Sequence, residues 1–93
     1  MSSITDRYVN KFSKSAELYR RGSRVIAGGA HQSRTVTPFP VFVDESKGVL
    51  KWDADGNELI DYMMGFGALM LGHGHPVITD AVTKRVRQGT HMG

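Results

Sequence analysis

The fold is decided by residues 49–62, which read VLKWDADGNELIDY. Residues 49–52 and 58–62 are rich in the aliphatic and aromatic side chains that favour β-strands. The residues between them, DADGN, have the composition of a tight turn. We therefore predict two antiparallel strands joined by a hairpin turn. A shorter β-prone segment at residues 41–43, followed by a turn at residues 45–48, would complete a small meander.

Two helices are predicted upstream of the meander. Thr5 can cap a first helix that ends near Phe12, because its hydroxyl can accept a hydrogen bond from an unpaired backbone N–H of the first turn. Ser13 or Ser15 can start a second helix that runs to about Ile26. A pair of glycines follows, and glycine readily adopts the left-handed conformation that ends a helix.

The segment after the meander is unusual. Residues 63–74 hold four glycines among apolar side chains, so neither a helix nor a strand is predicted there. A backbone that must approach another group closely is the natural explanation for so many glycines. Pro76 then suits the first turn of a helix that ends near Gly89. Residues 30–40, which hold two of the three prolines, are predicted to form an extended loop.

Together these elements predict an α+β segment made of N-terminal helices, a small antiparallel meander, a glycine-rich connector and a helix. The short strands and the apolar connector would leave a large apolar surface uncovered, and a chain of 93 residues buries only a modest share of its surface. We therefore expect residues 1–93 to be the N-terminal part of a larger protein rather than a complete independent domain. The alternative is a separate, non-catalytic interaction module that docks on a partner chain.

Composition argues against several classes of protein. The chain has no cysteine, which excludes a disulfide-stapled scaffold and a cysteine-based zinc or redox site. No segment resembles a signal peptide and the apolar runs are too short to span a membrane, so we expect a cytoplasmic protein without a membrane partner. The formal net charge is +3, but the basic residues are scattered at helical spacing without interleaved aromatics. We therefore expect no nucleic-acid partner. A small basic nucleic-acid binder is a third hypothesis, and it rests on charge alone.

The familiar catalytic and metal-binding patterns are missing or incomplete. His73 and His75 could supply two zinc ligands, but the sequence fixes no others near them. The DADGN segment is similar to a calcium loop, yet its glycine is fourth rather than sixth and no glutamate is twelfth, so a hairpin turn is the better interpretation. The five lysines lie in ordinary helix or turn contexts, whereas a Schiff-base lysine needs a desolvated or charge-lowered site. We predict no metal site and assign no catalytic residue.

Five motifs follow one another along the chain in a fixed order. They are RVIAGG at residues 24–29, PFPVFV at 38–43, GVLKWDADGN at 48–57, IDY at 60–62 and GALMLGHGHP at 67–76. In this order and spacing they resemble the N-terminal region of class III aminotransferases, and most closely the branch similar to glutamate-1-semialdehyde aminomutase. The resemblance covers about residues 15–93. Each motif alone is unspecific, whereas five in the same order are specific.

The resemblance implies a protein of several hundred residues with the α/β architecture of fold-type I pyridoxal-phosphate (PLP) transferases, normally a homodimer with active sites at the subunit interface. This chain would be the start of the small domain and the lead into the large domain. The implied activity is that of a PLP-dependent aminotransferase or aminomutase, which moves an amino group on an amino-acid or amino-ketone substrate. The Schiff-base lysine and most cofactor contacts would lie beyond residue 93, so catalytic and cofactor-binding residues stay unassigned.

Three substrate-binding residues are implied by the resemblance. The loop after the glycine pair lines the pocket entrance in the family and often offers a serine and an arginine to a substrate carboxylate; here these are Ser33 and Arg34. Arg34 could grip a carboxylate with two parallel hydrogen bonds, and the alternative is an exposed loop arginine. Phe66 occupies the position where the aminomutases usually carry a tryptophan over the substrate, and the alternative is a plain core phenylalanine. Because the aminomutase loop pattern Ser-Pro-Val-Arg and the tryptophan are both replaced, a transaminase acting on another amino acid, such as a β-amino acid, is an equal expectation.

Overall fold

The computed structural model describes residues 3–29 and 36–91. Three helices and three strands follow one another along these residues. Their bounds are Ile4–Lys11 (α1), Ser13–Gly22 (α2), Val43–Lys47 (β1), Leu50–Asp53 (β2), Glu58–Ile60 (β3) and Pro76–Val86 (α3). The predicted α+β arrangement, with helices before and after a small antiparallel sheet, is confirmed.

Helix α1 is capped by Ser3, so the prediction that Thr5 caps it is wrong. The Ser3 hydroxyl accepts a hydrogen bond from the backbone N–H of Asp6 at 3.1 Å, and the Asp6 carboxylate accepts one from the backbone N–H of Ser3 at 2.9 Å. This reciprocal pair satisfies two donors at the helix start, which a single hydroxyl cannot do. Hydrogen bonding to Ser3, first of all through its backbone N–H, also lowers the pKa of Asp6.

Helix α2 begins at Ser13, one of the two predicted starts, but it ends at Gly22 and not near Ile26. The backbone N–H groups of Val25 and Ile26 both donate to the carbonyl of Gly22, at 3.0 and 2.7 Å, and turn the chain back. A Cβ on Gly22 would lie only 2.5 Å from the carbonyl oxygen of Gly29. The helix therefore stops where a glycine lets the returning chain pass close to it.

The three strands form an antiparallel meander in the order β1-β2-β3, as predicted. The predicted bounds of the first strand and its turn are wrong, because β1 occupies residues 43–47. Lys47 pairs with Leu50, so Gly48 and Val49 alone form the first hairpin loop. Gly48 has a φ of 58°, which suits the first position of a two-residue hairpin loop and moves the turn to this point.

The second hairpin turn, DADGN, also braces the two N-terminal helices. Oδ1 of Asp53 organises the turn by accepting hydrogen bonds from the backbone N–H groups of Asp55 (3.0 Å) and Asn57 (2.7 Å). The Asp55 carboxylate accepts hydrogen bonds from the backbone N–H groups of Lys14 (2.9 Å) and Ser15 (3.3 Å), in the first turn of α2. We call this contact of the helices with the DADGN turn the helix junction. The predicted hairpin turn is thus confirmed, and it caps α2 in addition.

Aromatic rings form a small core beside the helix junction. The Tyr8 ring lies 4.8 Å from the Phe12 ring and 5.2 Å from the Phe39 ring, measured between centroids. The Tyr8 hydroxyl donates to the backbone carbonyl of Phe39 at 2.7 Å. Ser15 is fully buried, and its hydroxyl accepts a hydrogen bond from the backbone N–H of Phe42 at 2.9 Å. Rings and one buried hydroxyl therefore join the helices to the chain that enters the sheet.

Helix α3 begins at Pro76, as predicted, and ends at Val86. Proline suits this position because the first turn of a helix leaves backbone N–H groups without intrahelical partners. No residue of α3 is buried. Of the helices within residues 3–29 and 36–91, none is both long and apolar enough to cross a membrane.

Candidate functional site

The connector between β3 and α3, residues 63–74, contains a left-handed turn. Four consecutive residues have positive φ: Met64 (47°), Gly65 (62°), Phe66 (58°) and Gly67 (86°). For residues other than glycine this conformation costs about 1–2 kcal/mol each and normally occurs at isolated positions. Because two of the four residues are not glycine, the surrounding structure must hold the turn in place.

One carboxylate binds both ends of the connector. Oδ1 of Asp61 accepts hydrogen bonds from the backbone N–H groups of Met63 (3.0 Å) and Met64 (3.1 Å), where the left-handed turn begins. Oδ2 of Asp61 lies 2.6 Å from Nε2 of His73, near the far end of the connector. The same oxygen lies 3.0 Å from Nζ of Lys51 on β2. The Asp61 side chain is only 4% exposed, so these contacts are shielded from water.

These contacts keep Asp61 ionised. The hydrogen bond from His73 is the largest influence and lowers the pKa of Asp61, whereas desolvation raises it. The hydrogen bonds from Lys51 and from the backbone N–H groups of Met64 and Met63 lower the pKa further, to far below its ordinary value. Because an ionised carboxylate can only accept, Nε2 of His73 carries the proton of their hydrogen bond.

The far end of the connector is also fixed through its backbone. The N–H and the carbonyl of His73 exchange hydrogen bonds of 2.9 Å with the carbonyl and the N–H of Gly48, in the first hairpin loop. A Cβ on Gly72 would lie 3.1 Å from the Cα and from the carbonyl oxygen of Gly48. The prediction that glycines let the connector backbone approach a neighbour closely is confirmed at Gly72, and the neighbour there is the hairpin loop.

Phe66 is the one predicted site residue that falls within the described ranges. It lies in the left-handed turn with 77% of its surface exposed, and it is not part of the aromatic core around Tyr8. Ser33 and Arg34, the other two predicted substrate-binding residues, lie outside the described residues.

The connector and α3 expose many apolar side chains. Besides Phe66, the large exposed ones are Tyr62, Met63, Met70 and Leu71 in or beside the connector, and Val77, Ile78, Val82 and Val86 on α3. A recess of about 210 Å³ lies between the connector and the first turn of α3. Small-molecule sites usually measure roughly 300–1,000 Å³. This recess is therefore smaller than a usual small-molecule site.

A buried nitrogen beside this recess makes no hydrogen bond. His75 lines the recess and immediately precedes α3. Its Nδ1 is buried and has no hydrogen-bond partner among the residues that the structure describes. Since buried polar atoms almost always have a partner, this edge of the recess is incomplete.

The five lysines do not offer a reactive amine. Nζ of Lys51 is held in an ion pair at 3.0 Å with the connector carboxylate. Lys11, Lys14, Lys47 and Lys84 are exposed, whereas an amine that attacks a carbonyl group is usually desolvated or placed beside another cation. Within residues 3–29 and 36–91, no group of three or more His, Asp or Glu side chains is placed to hold a metal ion.

The residues that fix the connector are not predicted from the sequence. The sequence assigns Asp61 to a predicted strand and offers His73 as a zinc ligand, without joining the two. Neither the period of a strand nor that of a helix relates residues twelve apart across a glycine-rich segment. The available signal is positional, because the aspartate directly precedes the glycine-rich segment and the histidine lies near its end.

Comparison with known proteins identifies the family. A family model described as aminotransferase class-III matches residues 31–93. The chain is 42% identical over 87 residues to the glutamate-1-semialdehyde 2,1-aminomutase of Methanopyrus kandleri, and the alignment covers 92% of this chain and 20% of that protein.

Solved structures agree with this sequence similarity. A glutamate-1-semialdehyde aminomutase from Pseudomonas aeruginosa superimposes with a TM-score of 0.84 at 28% identity, covering 94% of this chain and 20% of that chain. A variant of the same enzyme in complex with PMP gives a TM-score of 0.83, also at 28% identity and with the same coverage. A β-phenylalanine aminotransferase from Variovorax paradoxus gives 0.82 at 26% identity, covering 95% of this chain and 21% of that chain.

The chain thus spans about a fifth of the length of these relatives. The structural relatives are fold-type I PLP transferases, so the predicted α/β parent fold is confirmed. The family model covers more than half of the chain. This chain belongs to the class III aminotransferase family.

Proposed function

We propose that this chain is the N-terminal part of a PLP-dependent class III aminotransferase or aminomutase, whose activity belongs to a longer polypeptide. Residues 1–93 would begin the small domain and lead into the large domain. Two observations support the proposal. The chain spans about a fifth of the length of its relatives, and the recess beside α3 is incomplete. On this proposal the chain lines the substrate pocket and does not carry the reacting amine.

The observation that carries the proposal is the conformation of Phe66. The residue is 77% exposed on a left-handed turn, so it gains little from burial and its backbone is strained. Strain of this kind is concentrated at functional sites. In the longer polypeptide Phe66 would pack against the carbon skeleton of the substrate. There it would exclude water and help to orient the bond that reacts.

Ser33 and Arg34 are proposed to complete the substrate contacts. The Arg34 guanidinium would donate two parallel hydrogen bonds to a substrate carboxylate, and the Ser33 hydroxyl would donate a third. A carboxylate held at one end and a ring packed along the skeleton would together fix which way the amino group points. The proposed substrates are amino acids, including β-amino acids, and related amino-ketones.

PLP is the cofactor that the family implies. When bound, PLP supplies an electron sink that allows an amino group to move to or from a carbon atom. The lysines of this chain do not fit the reacting amine, because Lys51 is paired with Asp61 and the other four are exposed. We therefore propose that segments outside this chain hold the cofactor, and no step through it is derived for the residues described.

We further propose that the longer protein is a homodimer. The support is the number of exposed apolar side chains on the connector and α3, because large exposed apolar patches mark interaction surfaces. The large domain and a second subunit would cover this surface. Light scattering on the longer polypeptide should give twice its monomer mass, and a monomer would contradict this part of the proposal. The cytoplasmic location stays a prediction from the sequence.

The test of the proposed activity uses the longer polypeptide expressed with PLP. We expect visible absorbance from bound PLP, together with amino transfer from an α- or β-amino acid or isomerisation of glutamate-1-semialdehyde. Phe66→Ala should raise KM for the preferred substrate about tenfold, as expected when a contact made equally in the ground and transition states is lost. Val49→Ala removes an exposed apolar side chain from the first hairpin loop, which does not line the recess, and should change KM less. A polypeptide that binds no PLP would contradict the proposal.

The exposed apolar surface also favours a second candidate, a non-catalytic module that docks on a partner chain. Size-exclusion chromatography of the isolated chain separates the two. A chain that is folded and monomeric without any partner contradicts the module. A longer polypeptide that binds a partner through α3 but binds no PLP would favour it.

A further inference from the structure

We propose that Asp61 is a positioning residue, which acts through the connector to set Phe66 against the substrate. The inference rests on the proposed function, because that proposal places Phe66 in the substrate pocket. Asp61 itself does not touch the substrate in this account. It fixes the backbone segment that carries the ring.

The two oxygens of Asp61 bind opposite ends of the connector. Oδ1 binds the backbone N–H groups of Met63 and Met64, at 3.0 and 3.1 Å. Oδ2 binds Nε2 of His73 at 2.6 Å. A single side chain therefore closes a loop of about ten residues whose ends would otherwise be held only by backbone contacts.

The hydrogen bonds inside the left-handed turn depend on the same two residues. The carbonyl of Met63 accepts from the N–H of Gly67 at 3.1 Å, and the carbonyl of Met64 accepts from the N–H of Leu69 at 3.0 Å. Phe66 lies between the donor and the acceptor residue of both hydrogen bonds. Since Asp61 orients the peptide groups of Met63 and Met64, it also sets the direction in which the Phe66 ring projects.

Asp61 also links the connector to the sheet. Its Oδ2 lies 3.0 Å from Nζ of Lys51 on β2, the strand that pairs with both of the others. Its backbone N–H donates to the carbonyl of Val49 at 2.8 Å. The position of Phe66 is therefore defined relative to a hydrogen-bonded sheet, which is the arrangement that a preorganised contact requires.

Asp61→Asn is the most informative variant, because it keeps the size of the side chain and removes its charge. An amide has one accepting oxygen, so it can serve Met63 and Met64 only by turning its NH2 group toward Nε2 of His73 and Nζ of Lys51. The Lys51 ammonium then loses its acceptor, and the N–H of His73 can no longer donate to this side chain. In the longer, PLP-loaded enzyme we expect kcat/KM for the preferred amino substrate to fall by up to about tenfold, mostly through KM, because misplacing the Phe66 ring cannot cost more than removing it.

A double-mutant cycle with Phe66→Ala separates positioning from general destabilisation. If Asp61 acts through Phe66, then Asp61→Asn has little further effect once the ring is gone, and the two fold-changes in KM do not multiply. Asp55→Asn is the matched control, because it breaks a comparable carboxylate bridge at the helix junction. Its effect on KM should be small and should multiply with that of Phe66→Ala.

His73 provides a second pair of variants that does not depend on the folding of Asp61→Asn. His73→Gln keeps a donor that can reach the Asp61 carboxylate, whereas His73→Ala removes it. We expect His73→Gln to keep KM close to that of the parent enzyme and His73→Ala to raise KM as Asp61→Asn does. Equal KM values for the two His73 variants would count against the positioning role.

The outcomes separate this inference from the proposed function. An active enzyme in which Phe66→Ala raises KM, but in which the effects of Phe66→Ala and Asp61→Asn multiply fully, overturns the positioning role alone. An active enzyme in which Phe66→Ala leaves KM unchanged overturns it as well. A longer polypeptide that neither binds PLP nor transfers amino groups overturns both the inference and the proposed function.

Discussion

Asp55 lies in the turn between β2 and β3, and Asp61 lies directly after β3. Both carboxylates accept hydrogen bonds from backbone N–H groups, but the segments they bind differ greatly. Asp55 binds the first turn of α2, an unstrained helix. Phe12 and Phe39 are buried beside that contact. Asp61 binds a left-handed turn that includes two non-glycine residues, and the apolar side chains around it are exposed.

The difference distinguishes a region that packs on itself from a region that presents surface. The aromatic core beside the helix junction buries Phe12 and Phe39, and the junction itself satisfies backbone N–H groups of α2 with the Asp55 carboxylate. The connector is held in one shape by a carboxylate and a backbone bridge, yet its apolar side chains have little to pack against. A fixed but uncovered surface is what a pocket wall requires, whereas the helix junction only has to be stable.

The largest expected effect is at Gly72, where the connector approaches the first hairpin loop. Gly72→Ala would place a Cβ 3.1 Å from two backbone atoms of Gly48, at a φ of 85°. We expect the free energy of unfolding to fall by roughly 2–4 kcal/mol from left-handed strain and overpacking. Urea unfolding of the longer polypeptide measures this loss.

The control for that prediction is Gly67→Ala, at the same connector and at a similar φ of 86°, where a Cβ would meet nothing within 4 Å. It should lower the free energy of unfolding by about 1–2 kcal/mol, from left-handed strain alone. Equal losses for the two variants would mean that the docking of the connector on Gly48 contributes nothing.

A smaller effect is expected at Ser15 in the helix junction. Ser15→Ala removes the acceptor for the backbone N–H of Phe42 at a fully buried position. Leaving that donor unpaired should lower the free energy of unfolding by about 1–3 kcal/mol, measured by urea unfolding. Ser13→Ala is the matched control, because Ser13 is exposed and should cost less. A loss for Ser15→Ala no greater than for the control would contradict the packing described for this region.

Acid should weaken both carboxylate contacts. For Asp55, desolvation raises the pKa, but hydrogen bonds from Lys14, Ser15 and Ser13 outweigh it and the pKa is lowered. The pKa of Asp61 is lowered further below the ordinary value of 3.8. A carboxylate whose pKa is lower in the folded state than in the unfolded state stabilises the fold when the pH is above its ordinary pKa. This stabilisation is lost as the pH falls through the lowered, folded-state pKa.

Unfolding measured between about pH 5 and about pH 2 tests this order, because most of the stabilisation should be lost across that window. Asp61→Asn should remove more of the acid dependence than Asp55→Asn, since the pKa of Asp61 is shifted further. A larger loss of acid dependence in Asp55→Asn would reverse the comparison between the two regions.

The smallest expected effect is at the start of α1. Ser3→Ala removes the hydroxyl that caps the helix and should lower its stability by about 1 kcal/mol. Thr5→Ala, which leaves the cap intact, should change stability by less. Helix content measured by circular dichroism during thermal unfolding compares the two, and a larger effect of Thr5→Ala would show that the cap is misassigned.

Local sequence patterns predict most of the fold. The DADGN turn, the meander and the start of α3 at Pro76 follow from turn composition and from the preferences of proline. The bounds of β1 do not, because the exposed strand Val43–Lys47 is mostly polar and its pairing is set by the loop at Gly48. The cap of α1 is likewise decided by a reciprocal contact rather than by one residue type.

The candidate site is only partly predictable for a physical reason. Phe66 is predicted by resemblance, but the side-chain contact that closes the connector joins Asp61 and His73, which lie near its opposite ends. Contacts between residues that are distant in sequence and belong to no periodic element leave no local signal. The same holds for Asp55, which caps a helix that lies about 40 residues earlier in the chain.

Hydrogen–deuterium exchange on the isolated chain and on the longer polypeptide tests the central claim most directly. Our account predicts that amides of the helix junction exchange at similar rates in both, whereas amides in α3 and residues 63–74 become strongly protected only in the longer polypeptide. Equal protection of α3 and the connector in both proteins would contradict the account, because that surface would then need no cover from the rest of an enzyme.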